Sequence, residues 1–137
     1  MKYAELRNYV GGDFVAAAPA RPALDVYDPS SGDIISRVPL SAAADVDVAV
    51  QAARAAFPAW AATPIKERVQ IFYRYKTLLE QNIDELAALV TEENGKIPGE
   101  ARAEVLKSAE LSEFACSLPQ ITPGEVLEVS RGVECRV

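Results

Sequence analysis

Residues 67–96 read ERVQIFYRYKTLLEQNIDELAALVTEENGK, and this run decides the fold class. Val69, Phe72 and Leu79, joined from upstream by Ile65, recur at helical spacing and share one face. Ile71, Tyr75 and Leu78 lie beside them, so both sides of this helix are expected to pack. NIDE, from Asn82 to Glu85, places a capping residue three positions before a carboxylate and opens a further helix buried through Leu86, Leu89 and Val90. Asn94 and Gly95 close it, because glycine enters the left-handed conformation at a helix end at little cost.

Working outward, Thr63 followed by Pro64 reads as a cap and first helical position for the helix that contains Val69. Before it, Val46, Val50, Ala53, Phe57 and Trp60 share a face from Ser41 onward. Ser41 is the expected cap there, Asp45 and Asp47 suit the positive helix end, and Pro58 is expected to end or bend the helix. On the other side, Pro98 opens a fourth helix that carries Ala101, Val105, Ala109, Leu111 and Ala115 toward Leu118, until Pro119 and Pro123 forbid its continuation.

Short strands flank the helices. Gly11 and Gly12 sit between β-favouring neighbours as a two-residue hairpin loop. A link, AAAPARP, leads to two further strands around DPSSGD, with Leu24 and Val26 before the turn and Ile34, Ile35 and Val38 after it. In GEVLEVSRGVECRV, Leu127 and Val129 form one arm and Val133, Cys135 and Val137 the other; a hairpin or one bent strand both fit. The alternation runs to Val137 without a closing turn, which leads us to expect coding sequence beyond it.

Composition excludes several classes of function. The chain has 137 residues, 50% of them hydrophobic, and 14 Lys and Arg against 20 Asp and Glu, a net charge of -6 that opposes nucleic-acid binding. Histidine is absent, which removes the commonest general base near neutral pH and the commonest metal ligand. Cys116 and Cys135 fit no metal or redox spacing and read as reduced thiols. With no signal-like or membrane-spanning apolar run, the expected location is the cytoplasm.

Candidate chemistry is sparse. The seven glycines form neither GxGxxG nor a Walker loop, so no dinucleotide cradle is expected. In TEENGKIPGE, Lys96 stands where a helix start could meet an anion, but a helix C-cap with an exposed lysine is the preferred reading. Glu92 and Glu93 are adjacent on a helix and cannot face each other as acid and base, so a solvated face is expected. Cys116 lies at the wrong helix end for thiolate stabilisation, and Cys135 alternates with valines; both read as small buried hydrophobes. Trp60 reads as a core or interface anchor.

NYVGGDFV, YDPSSGDIISRVP, AAADVDVAVQAARAAFPAW, the run of residues 67–96 and GEARAEV, taken in order, resemble the N-terminal part of the NAD-dependent aldehyde dehydrogenase superfamily. EFACSLPQITPGEVLEVSRGVECRV looks most like the CoA-acylating methylmalonate-semialdehyde (malonate-semialdehyde) dehydrogenase branch. The resemblance implies an α/β fold class, namely the N-terminal part of the aldehyde dehydrogenase fold. Residues 1–40 would be an arm with short β-hairpins, 41–118 a helical part packing on the cofactor domain, and 119–137 the start of the oligomerisation strands.

By the same resemblance, NAD and coenzyme A are the implied cofactor and co-substrate, and a homo-oligomer is the implied assembly. The family's catalytic asparagine, nucleotide-binding glycines and nucleophilic cysteine would lie downstream of Val137, so no catalytic, cofactor-binding or metal residue is assigned here. These 137 residues alone are expected to be inactive. The alternatives are another NAD(P)-dependent branch of the superfamily and a non-catalytic helical interaction module derived from it.

Overall fold

The computed structural model describes residues 1–15, 22–122 and 124–136, so most of the AAAPARP link, Pro123 and Val137 lie outside the described residues. Within them, three antiparallel strand pairs flank five helices. β1 (Asn8–Val10) and β2 (Asp13–Val15) set Tyr9 opposite Phe14, with ring centroids 5.0 Å apart. Gly11 and Gly12, at φ of 64° and 97°, make the tight loop between them. β3 (Ala23–Tyr27) pairs with β4 (Ile34–Pro39), Leu24 lying opposite Val38. The turn between them is held by the Asp28 carboxylate, which accepts the Ser30 amide at 2.8 Å.

The helices are α1 (Ala43–Ala62), α2 (Ile65–Gln81), α3 (Ile83–Asn94), α4 (Pro98–Cys116) and the single turn α5 (Leu118–Ile121), one more than the sequence leads one to expect. Helix α4 is the centre, packing on both α2 and α3. Its buried residues are Ala101, Val105, Ala109, Ser112 and Cys116, successive positions on one 3.6-residue stripe. Ala87 of α3 meets Ala101 and Val105, with Ile83, Leu86 and Val90 packed around them. Small side chains at these positions let the two backbones approach closely.

Several local expectations are corrected. Leu111 falls off the α4 stripe and is 61% exposed; Ser112 takes the buried place, its hydroxyl satisfied by donating to the Ser108 carbonyl at 2.8 Å. On α2, Val69 and Leu79 are buried but Ile71, Tyr75 and Leu78 are exposed, so only one side packs. The apolar face of α1 exists as read, yet none of its residues is buried, because α1 touches little besides β1. Of the two outcomes expected at Pro58, ending the helix is not what happens: α1 continues to Ala62, and the exposed Arg54 and Pro58 leave the carbonyl that proline cannot pair within reach of water.

The caps also differ. Ser41 does not cap α1: its hydroxyl accepts the Asn8 side-chain amide at 2.9 Å, while Asp45 accepts the Ala42 backbone amide at 2.7 Å. Thr63 donates back to the Ala59 carbonyl at 2.9 Å and ends α1, leaving Pro64 as the residue that precedes α2. Asn82 likewise turns back, its amide donating to Leu78 at 2.7 Å, so NIDE is not a capping box. Gly95 does close α3 in the left-handed conformation, at φ 79°.

Residues 126–136 form a hairpin, β5 (Val126–Ser130) with β6 (Val133–Arg136), rather than one bent strand. Its strands pack chiefly on each other, and β6 is exposed along its length. Val133 and Cys135 are therefore not on a buried face, and the expectation that Cys135 is buried is corrected.

Candidate functional site

A place where residues about 90 positions apart in sequence converge on a charged group lies at the C-terminal end of α3. Glu92 projects from the last turn of that helix, where a carboxylate faces the helix's negative pole and needs compensation. The chain's first residues supply it. Lys2 Nζ donates to Glu92 Oε1 at 2.5 Å, and the Tyr3 hydroxyl donates to Glu92 Oε2 at 2.7 Å. These bonds hold the Glu92 carboxyl below the ordinary glutamate range, against the partial burial that works the other way. Lys2 is raised in turn, first by its bond to Glu92.

The arm that delivers Lys2 and Tyr3 runs beside β4. The Lys2 and Tyr3 amides donate to the Ile35 carbonyl at 3.0 and 2.8 Å, and the Leu6 amide donates to the Arg37 carbonyl at 2.8 Å. The Ser36 hydroxyl, on a buried residue, donates to the Ala4 carbonyl at 2.7 Å. Between arm, hairpin and helix lies an apolar cavity of about 300 Å³ lined by Tyr3, Leu6, Val26, Ile35 and Leu89. On the outer side, an open cleft of about 700 Å³ is lined by Lys2, Asp28, Asp33 and Glu92.

Glu92 is thus not part of a solvated face, whereas Glu93 is exposed as expected. The sequence carries no signal for this cluster, since its members are about 90 residues apart. Lys96 pairs with Glu104 across the α3–α4 turn, which removes it as an anion ligand and makes it a brace between helices. Arg102 Nε donates to Asp84 at 3.1 Å as a second brace. Cys116 is buried and its thiol donates to the Ser112 carbonyl at 3.3 Å. Trp60 is partly exposed, with the Arg68 guanidinium 6.0 Å from its ring centroid.

A pH dependence follows. A carboxylate depressed by folding contributes stability above its unfolded value and loses it as pH falls through the folded one. The charged and titratable groups around Glu92 are Lys2 and Tyr3 from the arm, Asp28 and Asp33 from the β3–β4 turn, and Glu93 beside it on α3. The Tyr3–Glu92 contact is expected to survive as pH falls through the ordinary glutamate range and to weaken only below it. A Glu92 carboxyl titration followed by NMR checks this, and a midpoint at or above the ordinary glutamate value contradicts it.

A doubly wound nucleotide fold offers a parallel strand running through a glycine turn into a helix N-terminus. Among the described residues the strands pair only antiparallel, and no step of chemistry is assigned to them. No described group of His, Cys, Asp and Glu is placed to hold a metal ion, and no described helix is long and apolar enough to cross a membrane.

Comparison with known proteins places this geometry. The chain is 44% identical over 130 residues to the malonate-semialdehyde dehydrogenase of Bacillus pumilus (strain SAFR-032), covering 94% of this chain and 26% of that protein. A similar match, 43% over 122 residues, joins it to malonate-semialdehyde dehydrogenase 1 of Geobacillus kaustophilus (strain HTA426), covering 89% of this chain and 25% of that protein. The chain therefore spans about a quarter of the length of the curated relatives it matches.

Among solved structures, methylmalonate-semialdehyde dehydrogenase from Oceanimonas doudoroffii superposes with a TM-score of 0.89 at 32% identity, over 96% of this chain and 27% of that one. Lactaldehyde dehydrogenase from Escherichia coli superposes at 0.85 and 30% identity, over 93% and 27%. The hairpins and helices correspond to the N-terminal part of that fold. With the model of the aldehyde dehydrogenase family matching residues 14–137, the chain belongs to that family.

Proposed function

We propose that this chain is the scaffold portion of an NAD-dependent, CoA-acylating dehydrogenase that oxidises malonate or methylmalonate semialdehyde. The observation that carries the reading is the similarity to malonate-semialdehyde dehydrogenases, 44% identity spread over 94% of the chain. A dehydrogenase structure from Sinorhizobium meliloti 1021 complexed with NAD supports the cofactor; it superposes at 0.90 with 30% identity. In the proposed reaction a thiolate outside this segment attacks the aldehyde, hydride leaves to NAD, and coenzyme A takes the acyl group from the thioester.

In this reading residues 1–40 are the arm, 41–118 the helical layer against the cofactor domain, and 119–137 the start of the oligomerisation strands. The surfaces support it. Val46, Val50 and Phe57 on α1, Leu111 and Phe114 on α4, and Val126, Val129 and Val133 on the last hairpin are all exposed, in groups larger than solitary surface apolars. Arg68 Nε is buried without a hydrogen-bond partner beside Trp60, which supports an anchor role for that tryptophan.

The test is an assay of the full-length protein with each semialdehyde and NAD, with and without coenzyme A, reading NADH and acyl-CoA formation. Residues 1–137 alone are expected to reduce no NAD; turnover above a buffer control contradicts the scaffold role. The similarity to lactaldehyde dehydrogenase favours a second reading, a non-acylating branch. Release of free acid, with no acyl-CoA when coenzyme A is present, decides for it.

A further inference from the structure

We propose that residues 2–6 are a latch, held shut by Glu92, that fastens the β3–β4 hairpin to α3 and forms one wall of the apolar cavity beneath. The inference does not depend on which aldehyde the protein oxidises. The hairpin packs mainly strand on strand, and α3 packs mainly on α4, so direct packing between hairpin and α3 is slight apart from Pro29 of the turn against Gly95. The arm bridges them with bonds of two kinds. Its backbone amides follow β4 as a third strand would, through Tyr3 and Leu6, while Lys2 and Tyr3 reach across to the carboxylate on α3.

The two kinds of bond differ in what releases them. The Lys2 ammonium is more than half exposed, so salt screens its attraction to Glu92. The backbone bonds to Ile35 and Arg37 and the Ser36 hydroxyl bond to the Ala4 carbonyl are insensitive to salt, but all of them hold the arm to β4 and none holds it to α3. Release therefore starts at Glu92 and peels the arm from β4. That motion removes Tyr3 and Leu6 from one wall of the cavity and uncovers Ile35, which is buried in the closed arrangement.

Hydrogen exchange on the full-length protein tests this at single amides. Glu92→Leu removes both side-chain bonds and is expected to speed exchange at the Tyr3 and Leu6 amides about ten-fold, while α4 amides from Ala101 to Ala109 keep their wild-type rates. Trypsin cleavage after Arg7, an exposed residue at the end of the arm, is expected to accelerate in parallel. Glu92→Gln, which keeps an acceptor for the Tyr3 hydroxyl, supplies the second measurement. In roughly 1 M salt, where screening acts within about 3 Å, wild-type arm exchange is expected to rise and that of Glu92→Gln to stay level.

Equal loosening of α4 and the arm in Glu92→Leu would mean that Glu92 supports the whole fold, and overturns the latch. Unchanged arm exchange in Glu92→Leu, or a salt response equally large in Glu92→Gln, overturns it as well. A substrate assay that fails under "Proposed function" leaves each of these readings intact, so the two ideas fail separately.

Discussion

Ala101→Asp is expected to destabilise the protein by about 3–5 kcal/mol, because it places an unpaired charge, with extra volume, where no water reaches. Ala101 is the most deeply buried core residue, with 0% of its surface exposed, and it sits against Ala87 and Val105 where α3 and α4 approach. Nothing in that contact offers the carboxylate a cation, and the small residues leave no room for it to turn aside. Ala103 on the same helix is exposed and gives the control. Ala103→Asp changes the same residue type in the same helix and is expected to cost about 0.5 kcal/mol from helix propensity alone. Denaturant unfolding of both variants separates the two, and midpoints lowered equally would mean that α4 does not pack through Ala101.

That stripe also shows how far the sequence could be read. Ala101, Val105 and Ala109 announce themselves by spacing, because helical periodicity is a local property and burial follows from it. The stripe's continuation does so only in part: Cys116 is buried as read, but Ser112 is buried where hydrophobicity alone selects Leu111. A serine can occupy such a place when its hydroxyl finds a carbonyl one turn back, and the carbonyl of Ser108 provides it. The faces of α1 and β6 were legible as faces, but what would cover them was not. Val46, Phe57 and Val133 have a correct period and yet remain exposed, because period says which residues share a side and nothing about the partner.

The cluster at Glu92 was illegible for a different reason. Sequence spacing reveals pairs within a helix turn or across a short hairpin, whereas Lys2 and Glu92 are brought together only by the path of the arm along β4. Read by itself, TEENGK looks like a solvated acidic helix end. Once the arm is in place, one carboxylate of the pair is engaged and the other is not, a distinction that depends on Glu92 and Glu93 pointing about 100° apart. Cap positions failed on a smaller scale. Ser41, Thr63 and Asn82 are residues that cap helices well, but each had a nearer partner in Asn8, Ala59 or Leu78.

Gly95→Ala is expected to cost about 2–3 kcal/mol, more than the same change at Gly32, where about 1–2 kcal/mol is expected. Both glycines have nearly the same backbone, φ 79° and 78°, so the strain of adding a Cβ in the left-handed region is common to the two. They differ in what that Cβ would meet. At Gly32 it would find open space, while at Gly95 it would lie 3.0 Å from Cγ of Pro29, a ring atom that cannot swing away as the end of a long side chain can. Pro29 belongs to the β3–β4 turn, so the excess cost at Gly95 measures how closely that turn is pressed onto the end of α3. Denaturation midpoints of the two variants give the difference directly, and equal shifts would show that the turn yields freely. A larger shift at Gly95 would show that the β3–β4 turn bears directly on the end of α3.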